Sequence, residues 1–180
     1  KDALVIGVQS DQPGLGERIG STENGYDSYD GFDIDIAKEI ARQLEVPAAN
    51  VTFKPVTSKE REELIESGDV DFVVGSYSIT PERKTRVKFA GPYYVAHQDI
   101  LVRKSNPAPL RDLHGLGGKR LCMVPGSQSF QRVRTEQGVP VVPVEAKGYG
   151  ECLDKLIAGR LDAVSTDDLI LAGLASKAAK

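Results

Sequence analysis

Short apolar runs alternate with stretches of helical periodicity along most of the chain, the signature of an α/β layer architecture. Residues 4–8 read as a buried strand, and residues 10–31 follow as a Gly-rich polar segment too long for an ordinary strand-to-helix connection, so it is expected to be functional or mobile. Residues 32–46 predict a helix, because Ile34, Ala37, Ile40, Ala41 and Leu44 share one face and Pro47 follows. Residues 51–56 predict a strand, 59–67 a charged helix and 70–75 a strand. Thr80 and Pro81 mark a helix start, with Thr80 as N-cap and Pro81 at the first helical position. Residues 89–103 read as an extended crossing between two lobes.

A Pro- and Gly-rich break over residues 106–118 precedes a second α/β series: strand 120–124, helix 127–137, strand 139–144, helix 150–158, strand 161–165 and helix 167–176. The expected lobes are residues 1–95 and 96–180, joined by a hinge. The halves also echo each other. In both, a helix ends at Gly (Gly68, Gly159), an Asp follows three residues on (Asp71, Asp162), and a buried strand delivers small hydroxyl residues at its far end. Asp71 and Asp162 are read as helix-to-strand corner residues.

Composition narrows the function classes. The 180 residues are 40% hydrophobic and 27% charged, with 23 basic against 26 acidic side chains. A net charge of -3 without a Lys/Arg-dense stretch argues against nucleic acid or an anionic membrane surface as partner. No apolar run approaches the roughly 20 residues that span a bilayer. Cys122 and Cys152 leave two readings open, free thiols in a cytosolic protein or one disulfide in an exported one. The start at Lys1 fits a processed chain.

In an open α/β layer, ligands bind beyond the carboxyl ends of the strands. There the first strand delivers residues 9–15, the third Gly75 to Ser78, the first strand of the second lobe Pro125 to Ser129, and the last Thr166 to Asp168. This set is small, polar and nearly neutral. His97 and His114 are read as structural or surface residues, no nucleophile, P-loop or metalloprotease motif occurs, and no metal or cofactor is expected. The set suits a zwitterion. Arg83, in the first turn of a helix, offers a planar guanidinium to a carboxylate, and Asp167 offers a carboxylate to an ammonium. Asp167 reads equally well as the N-cap of the last helix, and Asp168 fits either part.

At these residues the sequence resembles a known family. Gly31-Phe32-Asp33-Ile34-Asp35, Gly68-Asp69-Val70-Asp71, Ser76-Tyr77-Ser78-Ile79-Thr80 with Arg83, Gly91-Pro92-Tyr93 and the stretch from Leu161 to Asp167 resemble the polar amino-acid family of bacterial extracytoplasmic solute-binding proteins. Residues 11–16 and the placing of Cys122 and Cys152 further resemble the glutamate-binding lipoproteins of actinobacterial ABC importers. The resemblance implies a bilobal, periplasmic-binding-protein-like α/β fold of type II, with a Cys122–Cys152 disulfide in the second lobe. It implies a non-enzymatic, monomeric, extracytoplasmic receptor that closes on L-glutamate, with aspartate and glutamine as further candidates, and delivers it to an ABC permease. Contact with the membrane would run through an N-terminal lipid anchor.

Carried across residue by residue, Arg83 matches the α-carboxylate clamp, with Ser76 and Ser78 beside it. Ser127 and Ser129 match the second-lobe loop over the carboxylate. Asp167, next to Thr166, matches the ammonium partner. Gln12 and Ser58 match positions that shape the side-chain pocket. An acidic ligand needs a further cation, for which Arg18 is the first choice and Arg61 the second; Tyr77 is read as pocket wall or core. Two rivals use the same architecture, the sensor domain of a signalling receptor and a dehydratase. Family members continue past the last helix with a return segment that this chain, ending at Lys180, lacks, so the first lobe is expected to expose apolar surface and a sheet edge.

Overall fold

A computed structural model describes residues 2–21, 25–105, 110 and 112–179. The chain divides into two compact units, Lys1–Val95 and Ala96–Lys180.

The first unit is built on β1 (Leu4–Val8), which is followed by three short strands, β2 (Asp11–Gln12), β3 (Gly16–Arg18) and β4 (Tyr29–Asp30). Helix α1 (Phe32–Gln43), β5 (Val51–Pro55), α2 (Arg61–Ser67), β6 (Phe72–Val74) and α3 (Pro81–Lys84) complete it. The parallel sheet has the order β5-β1-β6, with Ile6 opposite both Phe53 and Phe72. Ile6 and Val8 from the central strand are fully buried against Ile34 and Ala37 of α1. This is the face that the periodicity of α1 predicts.

Between β1 and α1, the described part of the Gly-rich polar segment contributes an antiparallel sheet of order β2-β3-β4. Strands of two and three residues leave no readable alternation. Helix α1 also ends earlier than expected. Glu45 takes a φ of 58°, its N–H donates to Arg42 O, and Val46 N–H donates to Ala41 O. That is a Schellman ending made without the usual glycine, so the chain has turned before Pro47. The expected extended crossing is irregular until β7, since residues 89–97 form no strand.

Gly31 fixes where α1 begins. Its φ is 125°, and a Cβ there would lie 2.3 Å from the carbonyl oxygen of Leu15. The same close approach lets the N–H groups of Phe32 and Asp33 donate to the carbonyls of Gly14 and Leu15, satisfying two helix-terminal donors. Gly31→Ala forces a backbone shift at that contact and is expected to destabilise the first unit by about 3 kcal/mol or more. Urea denaturation checks this.

The second unit contains β7 (Gln98–Leu101), a 3-10 turn (Leu113–Leu116), β8 (Arg120–Met123) and α4 (Ser129–Gln131), which continues as a π-helical turn (Arg132–Glu136). Then come β9 (Val142–Glu145), α5 (Tyr149–Ile157), β10 (Val164–Asp167) and α6 (Asp168–Ala178). Strand β8 runs parallel to β9, Leu121 bridges Ala163 in parallel, and β10 pairs antiparallel with β7. The core holds Leu116, Leu121, Phe130, Val133, Val139 and Ala163. The predicted helix 127–137 is thus half π-helical, with Gln137 N–H donating to Arg132 O. Cys122 on β8 and Cys152 on α5 form a disulfide. Its separation of 30 residues corresponds to a loop-closure stabilisation of about 3–4 kcal/mol.

The repeat seen in the sequence has a shared construction. Asp71 accepts Val5 N–H on Oδ2 (2.8 Å) and donates its own N–H to Val5 O (2.7 Å). Asp162 does the same to Arg120, at 2.8 and 2.9 Å. Each carboxylate therefore anchors the start of the neighbouring parallel strand, which is why β6 and β10 begin after these residues and later than the apolar runs suggest.

Asp162 also takes hydrogen bonds from the Arg120 guanidinium, and these hold its carboxyl at about 2, down from an ordinary 3.8. A folded-state value below the unfolded one stabilises the fold above about pH 4, and the contribution fades as pH falls through about 2. The stability gap between wild type and Asp162→Asn is therefore expected to shrink between about pH 6 and about pH 2. Urea titrations at the two ends measure it.

Candidate functional site

In the first unit, the polar side chains gather where β1 and β6 end. Thr80 Oγ1 accepts the N–H of Arg83 at 3.2 Å and starts α3, as the Thr80-Pro81 signal predicts. The cap fixes the backbone from which the Arg83 side chain departs. That side chain is 5% exposed; Nη1 donates to Ser78 O at 2.8 Å, and Nε lies 3.4 Å from Glu62 Oε1. The contribution of Ser78 is thus its carbonyl, which braces the guanidinium.

The Tyr77 ring is the base of this cluster. The Arg61 guanidinium lies 4.1 Å and that of Arg83 4.8 Å from the ring centroid, while Phe89 meets the ring edge-on. Burial and the adjacent Glu62 carboxylate push the Tyr77 phenol above its ordinary range, so it stays protonated at physiological pH. Arg61, 3% exposed, donates from Nε to Ser58 O and from Nη1 to Gly75 O, both at 3.2 Å. Buried Ser58 therefore acts here through its carbonyl.

Arg18, the first choice for a second cation, lies elsewhere. It is exposed on β3, donates to Gly20 O and sits over Tyr29. Arg61, the second choice, is the cation that shares the Tyr77 ring with Arg83.

Ser76 has a φ of 44°, in the left-handed region that a residue with a Cβ rarely adopts. Its hydroxyl donates to Oε1 of buried Gln12 at 2.7 Å, and its N–H donates to Asp33 Oδ2 at 2.7 Å. Next to Gly75 stands Gln9, 4% exposed, whose Nε2 has no hydrogen-bond partner among the described residues. A buried amide donor left unmatched costs about 1–3 kcal/mol, so a ligand acceptor is the natural complement.

The second unit presents a hydroxyl chain. Tyr149 and Ser127 hydroxyls lie 2.7 Å apart, Ser129 N–H donates to Ser127 Oγ at 3.3 Å, and Ser129 Oγ lies 2.9 Å from Thr166 Oγ1. Gln98 Nε2 holds Ser129 O and Ser165 Oγ. Thr166 and Asp167 end β10 directly before α6. Asp167 makes no side-chain capping bond. Its neighbour Asp168 accepts the N–H groups of His97 (3.4 Å) and Leu169 (2.9 Å). Asp168 thus supplies side-chain acceptors at this helix start. His97 is exposed beside Asp168, and His114 lies in the 3-10 turn.

Gln9, Glu62, Asp33, Gln98 and Tyr149 were not picked out as site residues. Gln9 carried a signal, being the first polar residue after the buried strand. So did Asp33, which interrupts the apolar face of α1 beside Ile34 and Ala37. Among the described residues no cluster of His, Cys, Asp and Glu is placed to hold a metal ion, and no helix is long and apolar enough to cross a membrane.

Comparison with known proteins places the chain in a family. The chain is 36% identical to the ABC transporter glutamine-binding protein GlnH of Bacillus subtilis, aligning over 98% of its own length and 62% of that protein. It is 36% identical to the glutamate-binding protein GluB of Corynebacterium efficiens, over 97% of its own length and 58% of that protein. The chain thus spans about three fifths of these curated relatives. Among solved structures, an ancestral arginine-binding protein bound to arginine matches with a TM-score of 0.86 and 33% identity, over 100% of this chain and 76% of that one. The fold is accordingly that of the periplasmic binding proteins. The profile of the bacterial extracellular solute-binding proteins, family 3, matches residues 4–170, and the chain belongs to that extracytoplasmic family.

Proposed function

We propose that the chain is the amino-acid receptor of an ABC importer and that its ligand is L-glutamate. In this reading Arg83 takes the α-carboxylate, flanked by Ser76 and Ser78, and Asp167 takes the ammonium, next to Thr166. Ser127 and Ser129 supply donors to the carboxylate. One ligand engages the residues of both units and so favours the liganded form by its differential affinity, which a permease then recognises.

The observation that carries the reading is the buried Arg83 guanidinium, braced by the Ser78 carbonyl and stacked over Tyr77 beside a second guanidinium. A planar cation built in this way suits bidentate recognition of a carboxylate. Arg61 and the Gln9 amide favour an acceptor at the far end of the ligand, and two nearby guanidiniums disfavour a cationic side chain. Glutamine is the second reading, because its side-chain carbonyl also satisfies the Gln9 donor and because one relative is named for glutamine.

Calorimetric titration with L-glutamate, L-glutamine, L-aspartate and L-arginine tests the assignment. L-glutamate is expected to bind tightest, and binding of arginine without glutamate would overturn it. Gln9→Glu sets a carboxylate against the ligand's acidic end and is expected to move the preference from glutamate toward glutamine by about tenfold or more.

A further inference from the structure

The carboxylate of Asp33 is 1% exposed, yet it lies in the first turn of α1 on the apolar face of that helix. Its two oxygens serve two other segments. Oδ2 accepts the N–H of Ser76 at 2.7 Å, and Oδ1 accepts the hydroxyl of Tyr93 at 2.8 Å. Ser76 is the residue at positive φ in the turn after β6, and its hydroxyl is held from the other side by Gln12.

Burial opposes the charge on Asp33 and pushes its carboxyl above the ordinary range. An apolar residue would fill that position of α1 without the penalty. The carboxylate offers a short, charge-assisted acceptor for one particular N–H, which holds a backbone conformation that an L residue otherwise leaves. The turn so held carries Ser76 and Ser78, and the Ser78 carbonyl braces Arg83.

From this geometry we infer that Asp33, oriented by the Tyr93 hydroxyl, is a positioning residue that holds the Ser76–Ser78 turn in its ligand-receiving shape. The inference rests on the proposed role of that turn and adds a specific requirement to it. Asp33 touches no ligand atom; it acts through the Ser76 N–H. Tyr93 acts mainly through Asp33, its hydroxyl also facing the Ser76 N–H, so most of its contribution is lost once the carboxylate is gone.

The test titrates L-glutamate into wild type, Asp33→Asn, Tyr93→Phe, the double variant and Arg83→Ala, well below each melting temperature, with the Ser76 amide followed by NMR. Asp33→Asn is expected to weaken binding about tenfold or more and to move the Ser76 amide proton upfield, as a charged acceptor is lost. Tyr93→Phe is expected to weaken binding several-fold, and the double variant to bind little worse than Asp33→Asn alone. If Asp33→Asn does not fold, Tyr93→Phe carries the test through its affinity and the Ser76 resonance. Affinities within twofold of wild type, or additive losses in the double variant, would overturn the inference, even where melting temperatures fall. Loss of binding in Arg83→Ala with full binding in the other variants would remove this inference alone. A wild type without glutamate binding would remove the functional reading beneath it.

Discussion

Arg83→Ala is expected to abolish measurable L-glutamate binding while the chain stays folded. The side chain is buried against the Ser78 carbonyl, Glu62 and the Tyr77 ring, and the α3 cap depends on Thr80 and the backbone N–H of residue 83, which alanine keeps. Two effects add at the site. The ligand carboxylate loses a charge-assisted, two-bond partner, and Glu62 is left near it without the neutralising guanidinium. Removing one member of a desolvated ion pair costs about 3–5 kcal/mol, or roughly 200- to 5000-fold in affinity. Arg83→Lys keeps the charge but not the planar fork and is expected to fall between the two. Calorimetric titration measures all three proteins, and an alanine variant within about tenfold of wild type would contradict the clamp.

Asp167→Asn carries the second large effect. Asp168 accepts the N–H groups at the start of α6 and is kept in this variant, so the loss is expected in binding, with the melting temperature of Asp167→Asn measured beside it. An ammonium facing an amide in place of a carboxylate loses its ionic partner, costing about 2–3 kcal/mol at a half-buried position, or roughly 30- to 150-fold. Asp168→Asn provides the contrast. It weakens the helix start and is expected to lower the melting temperature by a few degrees while leaving affinity within about threefold. If Asp168→Asn lost affinity and Asp167→Asn did not, the two roles would be exchanged.

The parallel strands, the main helices and the Thr80 cap were legible in the sequence, because each rests on a local pattern of several residues. The repeat around Asp71 and Asp162 was legible as a pattern, and the structure supplies its physics, one carboxylate per unit tied to the backbone of a neighbouring strand. Short features were not legible. The β2-β3-β4 sheet is made from pairs and triplets, and the turn at Glu45 uses no glycine, so neither leaves a periodic signal. The π-helical turn at Arg132–Glu136 carries Val133 into the core beside Phe130, and no local pattern distinguishes it from an α-helical turn.

For the proposed site, residue type and place together mark Arg83 and Asp167, since opposite charges beside strand ends suit a dipolar ligand. What sequence could not decide was which of two neighbours stands where. Arg18 and Arg61 are both cations near the first unit's strands, and only the folded chain puts Arg61 on the Tyr77 ring while Arg18 stays in solvent. Asp167 and Asp168 differ by one position, and only the hydrogen bonds around His97 and Leu169 separate them. Gln9 and Asp33 lie in stretches the sequence marks, residues 9–15 and the motif at Gly31, but their individual parts depend on partners, or the lack of them, that only the fold makes visible.

A crystal structure of the chain grown with L-glutamate tests the central claim most directly. The account predicts the ligand's α-carboxylate in a two-bond contact with the Arg83 guanidinium, at about 2.7–3.0 Å, and the ammonium hydrogen-bonded to the Asp167 carboxylate of the same complex. A bound glutamate that touches neither group, or whose α-carboxylate lies on Arg18 while Arg83 keeps only Ser78 and Glu62, would contradict it.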